Sequence, residues 1–168
     1  MRDTIFGSMQ CSLARALDVV GDGWALLILR DLYAGVRRFD QLADDLGVSR
    51  NLLTARLRQL VDDGVVVRNA YSSKPPRYEY ELSEAGRDLV PAILTLTAWG
   101  DKWLAPSEGS PILFRHDPCG HIIKPEIVCP CCRAKLKAGD VTLLPGPGGQ
   151  RRRGTMLIAE MLGDSKDI

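Results

Sequence analysis

A chain of 168 residues with a net charge of +1, 45% hydrophobic residues and five cysteines is long enough for one full domain plus a small appendage. No apolar run reaches the ~18 residues that span a bilayer, and no secretory leader is visible at the start, so a soluble, cytoplasmic chain without membrane partners is expected. The near-zero charge excludes a protein drawn onto polyanions by a global basic field. Five thiols in such a compartment argue against structural disulfides.

Residues 11–20 carry Leu13, Ala16, Leu17 and Val20 at helical spacing. Gly21-Asp22-Gly23 breaks the pattern. Residues 24–34 are apolar around most of the circumference (Trp24, Leu26, Leu27, Ile28, Leu29, Leu32, Tyr33), which predicts a helix at the centre of the core. Trp24 is read first as core packing and second as the wall of a ligand pocket. Gly35 ends this helix.

Arg37-Arg38-Phe39-Asp40-Gln41-Leu42-Ala43 then opens a short helix. Leu46-Gly47-Val48-Ser49 is a tight turn closing on a capping serine, residues 50–61 form a second helix, and Gly64 stops it. Two strand-rich runs, 65–71 and 77–82, flank the loop Ser72-Ser73-Lys74-Pro75-Pro76. These pieces, in this order and with these short connections, predict a winged helix-turn-helix. That arrangement sets one helix in a major groove of double-stranded DNA and a loop beside it. Between Gly47 and Arg77 six basic residues (Arg50, Arg56, Arg58, Arg68, Lys74, Arg77) face two acids (Asp62, Asp63). The positive charge is thus local, which suits a sequence-specific binder better than a coating protein.

Projected at 100° per residue, Leu53, Leu57, Leu60 and Val61 share the buried quadrant of the second helix. Asn51, Ala55, Arg58 and Gln59 lie opposite, with Thr54 on the flank. Asn51 and Arg58 have side chains suited to paired hydrogen bonds with adenine and guanine edges. Ser49 and Arg50 sit at the N-terminal tip, where the helix dipole favours phosphate, and Ser49 is read foremost as a cap. The candidate DNA contacts are Arg38, Ser49, Arg50, Asn51, Thr54, Arg58, Ser73, Lys74 and Arg77.

Ser83-Glu84-Ala85 caps a long helix expected to reach Leu104, with Pro91 as a candidate kink. Its Leu89, Val90, Ile93, Leu94, Leu96, Trp99, Trp103 and Leu104 exceed what one small winged domain can cover. A two-fold homodimer, with the first helix as neighbour in the interface, is therefore expected to read an inverted-repeat operator.

A Pro-, Gly- and Ser-containing linker, 105–111, leads to a Cys-rich stretch. His116-x2-Cys119 and Cys129-x2-Cys132 have the spacing of a tetrahedral Zn2+ ribbon, with His121 and Cys131 as alternate ligands. Cys129-Pro130-Cys131-Cys132 also fits a dithiol redox centre, but the βαβ surroundings of such a centre are absent; a metal-free remnant is the further alternative. Residues 145–154 read as a flexible basic linker with an arginine triplet, and 155–162 as a short terminal helix. The domain reading is 1–104, a winged domain; 105–144, a Cys-rich zinc-ribbon-like appendage; and 145–168, linker and helix. The fold class is mainly α with a small β wing and with N- and C-terminal dimerisation helices. No catalytic triad, carboxylate pair or phosphate-cradling glycine loop stands out, so no enzymatic role is expected, and Zn2+ is the single cofactor considered.

Four separated motifs resemble the HxlR-type, MarR-like transcriptional regulators. They are the segment from Cys11 to Leu32, Arg37-Arg38-Phe39-Asp40-Gln41-Leu42, Leu53-Thr54-Ala55-Arg56-Leu57-Arg58-Gln59-Leu60, and the run from Pro75 to Gly86. The likeness covers roughly residues 9–104. It implies a homodimeric DNA-binding regulator, expected as a repressor, with Cys11 at the position of the family's N-terminal cysteine. In some members that cysteine senses electrophiles, quinones or oxidants. Here Cys11 is either such a sensor, at a helix start with Arg15 one turn on, or a small packing residue at the dimer interface. A small-molecule or oxidant inducer is the implied effector. The competing reading is a winged-helix plus zinc-ribbon module that binds protein.

Overall fold

The computed structural model describes residues 6–162. Its elements run α1 (Ser12–Val20), α2 (Gly23–Ala34), α3 (Phe39–Leu46), α4 (Arg50–Asp62), β1 (Val66–Ser73), β2 (Pro76–Leu82), α5 (Glu84–Asp88), α6 (Val90–Trp103), β3 (Phe114–His116), β4 (His121–Ile123), a 3-10 turn (Ala138–Asp140) and α7 (Met156–Met161). They fall into two compact units, one of residues 6–27 with 138–162 and the other Ile28–Lys137, with the boundary inside α2.

In the larger unit the core is built from one apolar stripe per helix. Ile28, Leu29 and Leu32 of α2, Leu42 and Ala43 of α3, Leu53, Leu57 and Leu60 of α4, Val65, Val66 and Leu82 around the hairpin, and Val90 and Ile93 of α6 are all buried. Burying a leucine or isoleucine contributes about 1.5–3 kcal/mol, so the three leucines of α4 alone fix which face of that helix meets solvent. Asp31 of α2 is buried among them. Arg30 donates to its Oδ1 from Nε (2.8 Å) and Nη2 (2.6 Å). Burial nevertheless raises the Asp31 carboxyl above its ordinary range, the Arg30 charge opposing and Asp45 adding to the shift.

The turn between α3 and α4 is three residues long. Gly47 takes the left-handed conformation (φ +61°), and Ser49 caps α4 by accepting from the Leu52 N–H at 3.3 Å. At the far end of α4, Gly64 (φ +74°) turns the chain, and Val65 N–H donates back to the Leu60 carbonyl at 3.1 Å. β1 and β2 form an antiparallel hairpin from Val66↔Leu82 to Ser73↔Pro76, with a bulge at Tyr71. The strands extend further than the sequence suggests. Only Lys74 and Pro75 lie between them, and Pro76 pairs because the first position of a strand does not need its N–H.

The single long helix expected from Ser83 to Leu104 is two helices. Ser83 caps α5, accepting from the Gly86 N–H at 3.1 Å, and the chain breaks at Leu89. Pro91, which has no N–H and whose ring would clash with the carbonyl one turn back, sits in the first turn of α6, where both features are harmless. Gly86 is buried directly against the Val65 carbonyl oxygen, a close approach that leaves no room for a Cβ.

Residues 111–137 carry two small β-turn units, the β3–β4 hairpin and a second turn closed by a Val128↔Lys135 bridge. In the smaller unit the basic stretch expected to be a flexible linker is tied down. Gln10 N–H donates to the Arg153 carbonyl (3.1 Å), Arg153 Nη1 donates to Ser8 Oγ (3.2 Å), and Arg151 pairs with Glu160 (2.7 Å). Residues 138–162 group with residues 6–27 in this unit. Residues 163–168 of the terminal region lie outside the described residues.

Leu53→Ala should cost about 2–5 kcal/mol by emptying the α4 core contact. Gly86→Ala should cost about 1–3 kcal/mol by forcing α5 off Val65. Urea unfolding checks both, and a Gly86→Ala protein as stable as wild type would contradict the close contact.

Candidate nucleic-acid interface

With Leu53, Leu57 and Leu60 pinned inward, the 3.6-residue period turns Asn51, Thr54 and Arg58 outward along one stripe of α4. All three are exposed, the Arg58 side chain by 84%. Arg58 reaches only weakly toward Asp62, at 3.9 Å. Thr54 Oγ1 donates to the Arg50 carbonyl at 2.7 Å, which fixes its rotamer. Ser49 spends its oxygen on the helix cap.

The hairpin is fastened to the segment that enters α3. Tyr80 N–H donates to the Arg37 carbonyl at 2.9 Å, and Arg38 forms an isolated antiparallel bridge with Glu79, so residues 37–38 are fastened beside β2. The wing and the helix-turn-helix thereby hold a fixed relation. Between them opens a cleft of about 630 Å³ lined by Arg38, Arg50, Thr54, Tyr71, Arg77 and Tyr78. On the other flank of α4 a smaller cleft of about 350 Å³ carries Arg58 and Arg68. Ser73, Lys74 and Arg77 are exposed at the hairpin tip.

The arginines of this face are oriented before any ligand arrives. Arg38 lies over the Tyr71 ring (5.2 Å) and donates from Nε to Glu79 Oε1 (3.1 Å). Arg50 lies over Phe39 (5.3 Å) and pairs with Asp40. Arg68 stacks on Tyr78 (4.3 Å), and Arg37 pairs with Glu81. The sequence reading counted Arg68 among the basic residues of this face but missed Tyr71, Tyr78 and the carboxylates Asp40 and Glu79. The alternation Tyr78-Glu79-Tyr80-Glu81 hinted that one face of β2 is aromatic and the other acidic. The bulge that presents Tyr71 had no comparable signal.

The other candidate residues lie elsewhere. Cys11 is the half-buried N-cap residue of α1 and makes no capping hydrogen bond; the Arg15 guanidinium one turn on donates to Ser12 Oγ at 3.2 Å. His116 Nδ1 lies 3.1 Å from Cys119 Sγ, and His121 is the cross-strand partner of His116. The Cys129 sulfur accepts N–H bonds from Cys132 and Cys131, which hold its thiol below the ordinary value. The predicted ligands thus stand as two pairs; among the described residues no three His, Cys, Asp or Glu side chains form a group able to hold a metal ion.

The sequence profile of the HxlR-like helix-turn-helix matches residues 19–108. An uncharacterized HTH-type transcriptional regulator of Mycobacterium tuberculosis is 51% identical over 137 residues, 82% of this chain and 87% of that protein. One from Synechocystis is 40% identical over 95 residues, 56% of this chain and 70% of that protein. Among solved structures, the candidate transcription factor PA1607 superposes with a TM-score of 0.73 at 33% identity, covering 82% of this chain and 96% of that one. The reduced form of the redox regulator HypR superposes with a TM-score of 0.52 at 33% identity, covering 55% and 92%. Among the described residues no helix is long and apolar enough to cross a membrane.

Exposed ion pairs contribute about 0.2–1 kcal/mol, so the carboxylates on Arg50 and Arg38 can be exchanged for phosphates at small cost. Asp40→Asn and Glu79→Gln should each raise affinity for random-sequence duplex by up to about fivefold, the equivalent of about 1 kcal/mol, with a steeper salt dependence. Fluorescence anisotropy at several salt concentrations reads this out. Weaker binding in both variants would mean the carboxylates position the arginines instead of competing with DNA.

Proposed function

Because the chain belongs to the HxlR-like helix-turn-helix family of transcriptional regulators, which act by binding DNA and not as enzymes, we propose that it is a homodimeric repressor reading an inverted-repeat operator in double-stranded DNA through α4 and the wing. The observation that carries this reading is the outward stripe Asn51, Thr54 and Arg58, bordered by the arginine-lined cleft between helix and hairpin. A helix diameter of about 10–12 Å matches a major groove about 12 Å wide. The stripe then supplies base-edge contacts, while Arg38, Arg50, Lys74 and Arg77 supply phosphate contacts that fix register. The dimer is supported by α6. Leu96, Trp99 and Trp103 stand exposed on it and Leu104 at its C-cap, Trp103 by 63% and Leu104 by 71%, a run of large apolar side chains that a partner surface would cover. Leu13 and Leu17 of α1 are exposed as well. Two-fold pairing spaces the recognition helices for half-sites about 34 Å apart along the duplex. Repression follows from a dimer seated across promoter DNA.

The effector reading assigns oxidant or electrophile sensing to the Cys11 thiol, in line with the fold shared with the redox regulator HypR. Its position at the head of α1 means that a bulky or charged adduct there would disturb the helix start.

Arg58→Ala should weaken binding to the selected operator by about 1–3 kcal/mol and relax selectivity at the base it contacts. Mobility-shift titration against operator and single-base variants checks it; unchanged affinity and selectivity would remove Arg58 from base readout. In the same assay a thiol oxidant should release wild-type protein and leave Cys11→Ser bound. Equal release of both would exclude Cys11 as the sensor.

A further inference from the structure

Residues 105–137 have no buried side chain at all. Ile122, Ile127, Val128 and Leu136 are each exposed by 36–61%, so apolar burial does not hold this lobe together. What it has instead is the same backbone device twice. In the first turn Gly120 N–H donates to the His116 carbonyl at 2.7 Å; in the second Arg133 N–H donates to the Cys129 carbonyl at 2.9 Å. In each, the residue after the second donor is left-handed, Gly120 at φ +71° and Arg133 at φ +63°. Arg133 is the single non-glycine with positive φ among the described residues. Such a conformation is disfavoured for a residue with a Cβ and persists where the surroundings over-determine it.

Each turn rides on a short antiparallel ladder. The first is closed by His116↔His121; the second by Val128↔Lys135, with Cys129 N–H on the Ala134 carbonyl (2.8 Å) and Leu136 N–H on the Ile127 carbonyl (2.9 Å). Each also gathers two soft donors at one end. His116 Nδ1 and Cys119 Sγ are 3.1 Å apart, and the Cys129 sulfur accepts the N–H groups of Cys131 and Cys132. The two turns share their spacing, the closing N–H···O bond and the left-handed residue that donates it, although their sequences differ.

We propose that these two turns are the halves of a structural zinc site, with His116 and Cys119 on one side and Cys129 and Cys132 on the other. Two nitrogen- or sulfur-bearing pairs meet the tetrahedral preference of Zn2+. The pairs stand apart in the structure, so binding closes the two turns on one another and supplies the cross-link that the coreless lobe lacks. Binding is not a redox step. The three thiols give up their protons to solvent, the imidazole binds neutral, and the bound site carries one net negative charge. Cys131 points its N–H at Cys129 and is left outside the ligand set; His121 supports the ladder opposite His116. This inference stands independently of DNA binding.

The test uses the full chain purified without chelator. Elemental analysis should find equimolar zinc. A thiol-reactive dye should then label Cys11 and Cys131 only, and adding a strong chelator should expose Cys119, Cys129 and Cys132. Cys119→Ser, Cys129→Ser, Cys132→Ser and His116→Ala should lose zinc, whereas Cys131→Ser and His121→Ala should keep it. If the ligand variants fail to fold, Co2+ substitution of the wild type decides, since thiolate-rich tetrahedral cobalt has an intense visible spectrum. A wild-type chain with no metal, thiols released by reductant and not by chelator, or retention of zinc by the Cys119→Ser and Cys129→Ser chains would each overturn the proposal.

Discussion

The structure depends on the seating of α4. Leu53, Leu57 and Leu60 are each exposed by 1% or less, and together they contribute several kcal/mol at about 1.5–3 kcal/mol per side chain. That burial leaves the helix one orientation. The residues one or two positions out of phase with those leucines, Asn51, Thr54 and Arg58, then have no choice but solvent. A one-residue slip would bury an arginine and expose a leucine. The surface that a DNA helix would meet is therefore set by the hydrophobic core beneath it, and the same argument extends to the wing through Val65, Val66 and Leu82.

Around that fixed helix the polar face is organised by cheap, reversible contacts. Arginines lie over Tyr71, Phe39 and Tyr78 and touch Glu79, Asp40 and Glu81. Stacking restricts the guanidinium planes, which lowers the entropy lost on docking. The carboxylates mask the charge in the free protein, in keeping with a net charge of only +1. Attraction to any polyanion is thereby held down, and the complementary groove gains the advantage.

The helix-turn-helix was legible because its signals are local. The leucine period of 53, 57 and 60, the capping Ser49 and the left-handed Gly47 each state their own conformation within a few residues. The break at Leu89 was less legible, because Pro91 is compatible with a kink, a break or a first turn, and packing of Gly86 on Val65 decides among them. Tyr71 and Arg38 meet only after the hairpin folds back beside residues 37–38, so no window of sequence contains that contact. The tie between Arg153 and the N-terminal Ser8 and Gln10 was illegible for the same reason, being a pairing across some 145 positions. In the Cys-rich lobe the spacing was plain from the sequence, whereas the repeated turn, with Arg133 in the same handedness as Gly120, emerged only from the backbone.

The most direct measurement is backbone and side-chain NMR of the full chain titrated with a duplex that the protein itself selects from fragmented genomic DNA. The account predicts that shift changes concentrate on Asn51, Thr54, Arg58 and residues 71–77, while the buried Leu53, Leu57 and Leu60 keep their environment. Changes confined to α6 or to residues 105–137, with the outward stripe of α4 unmoved, would contradict it.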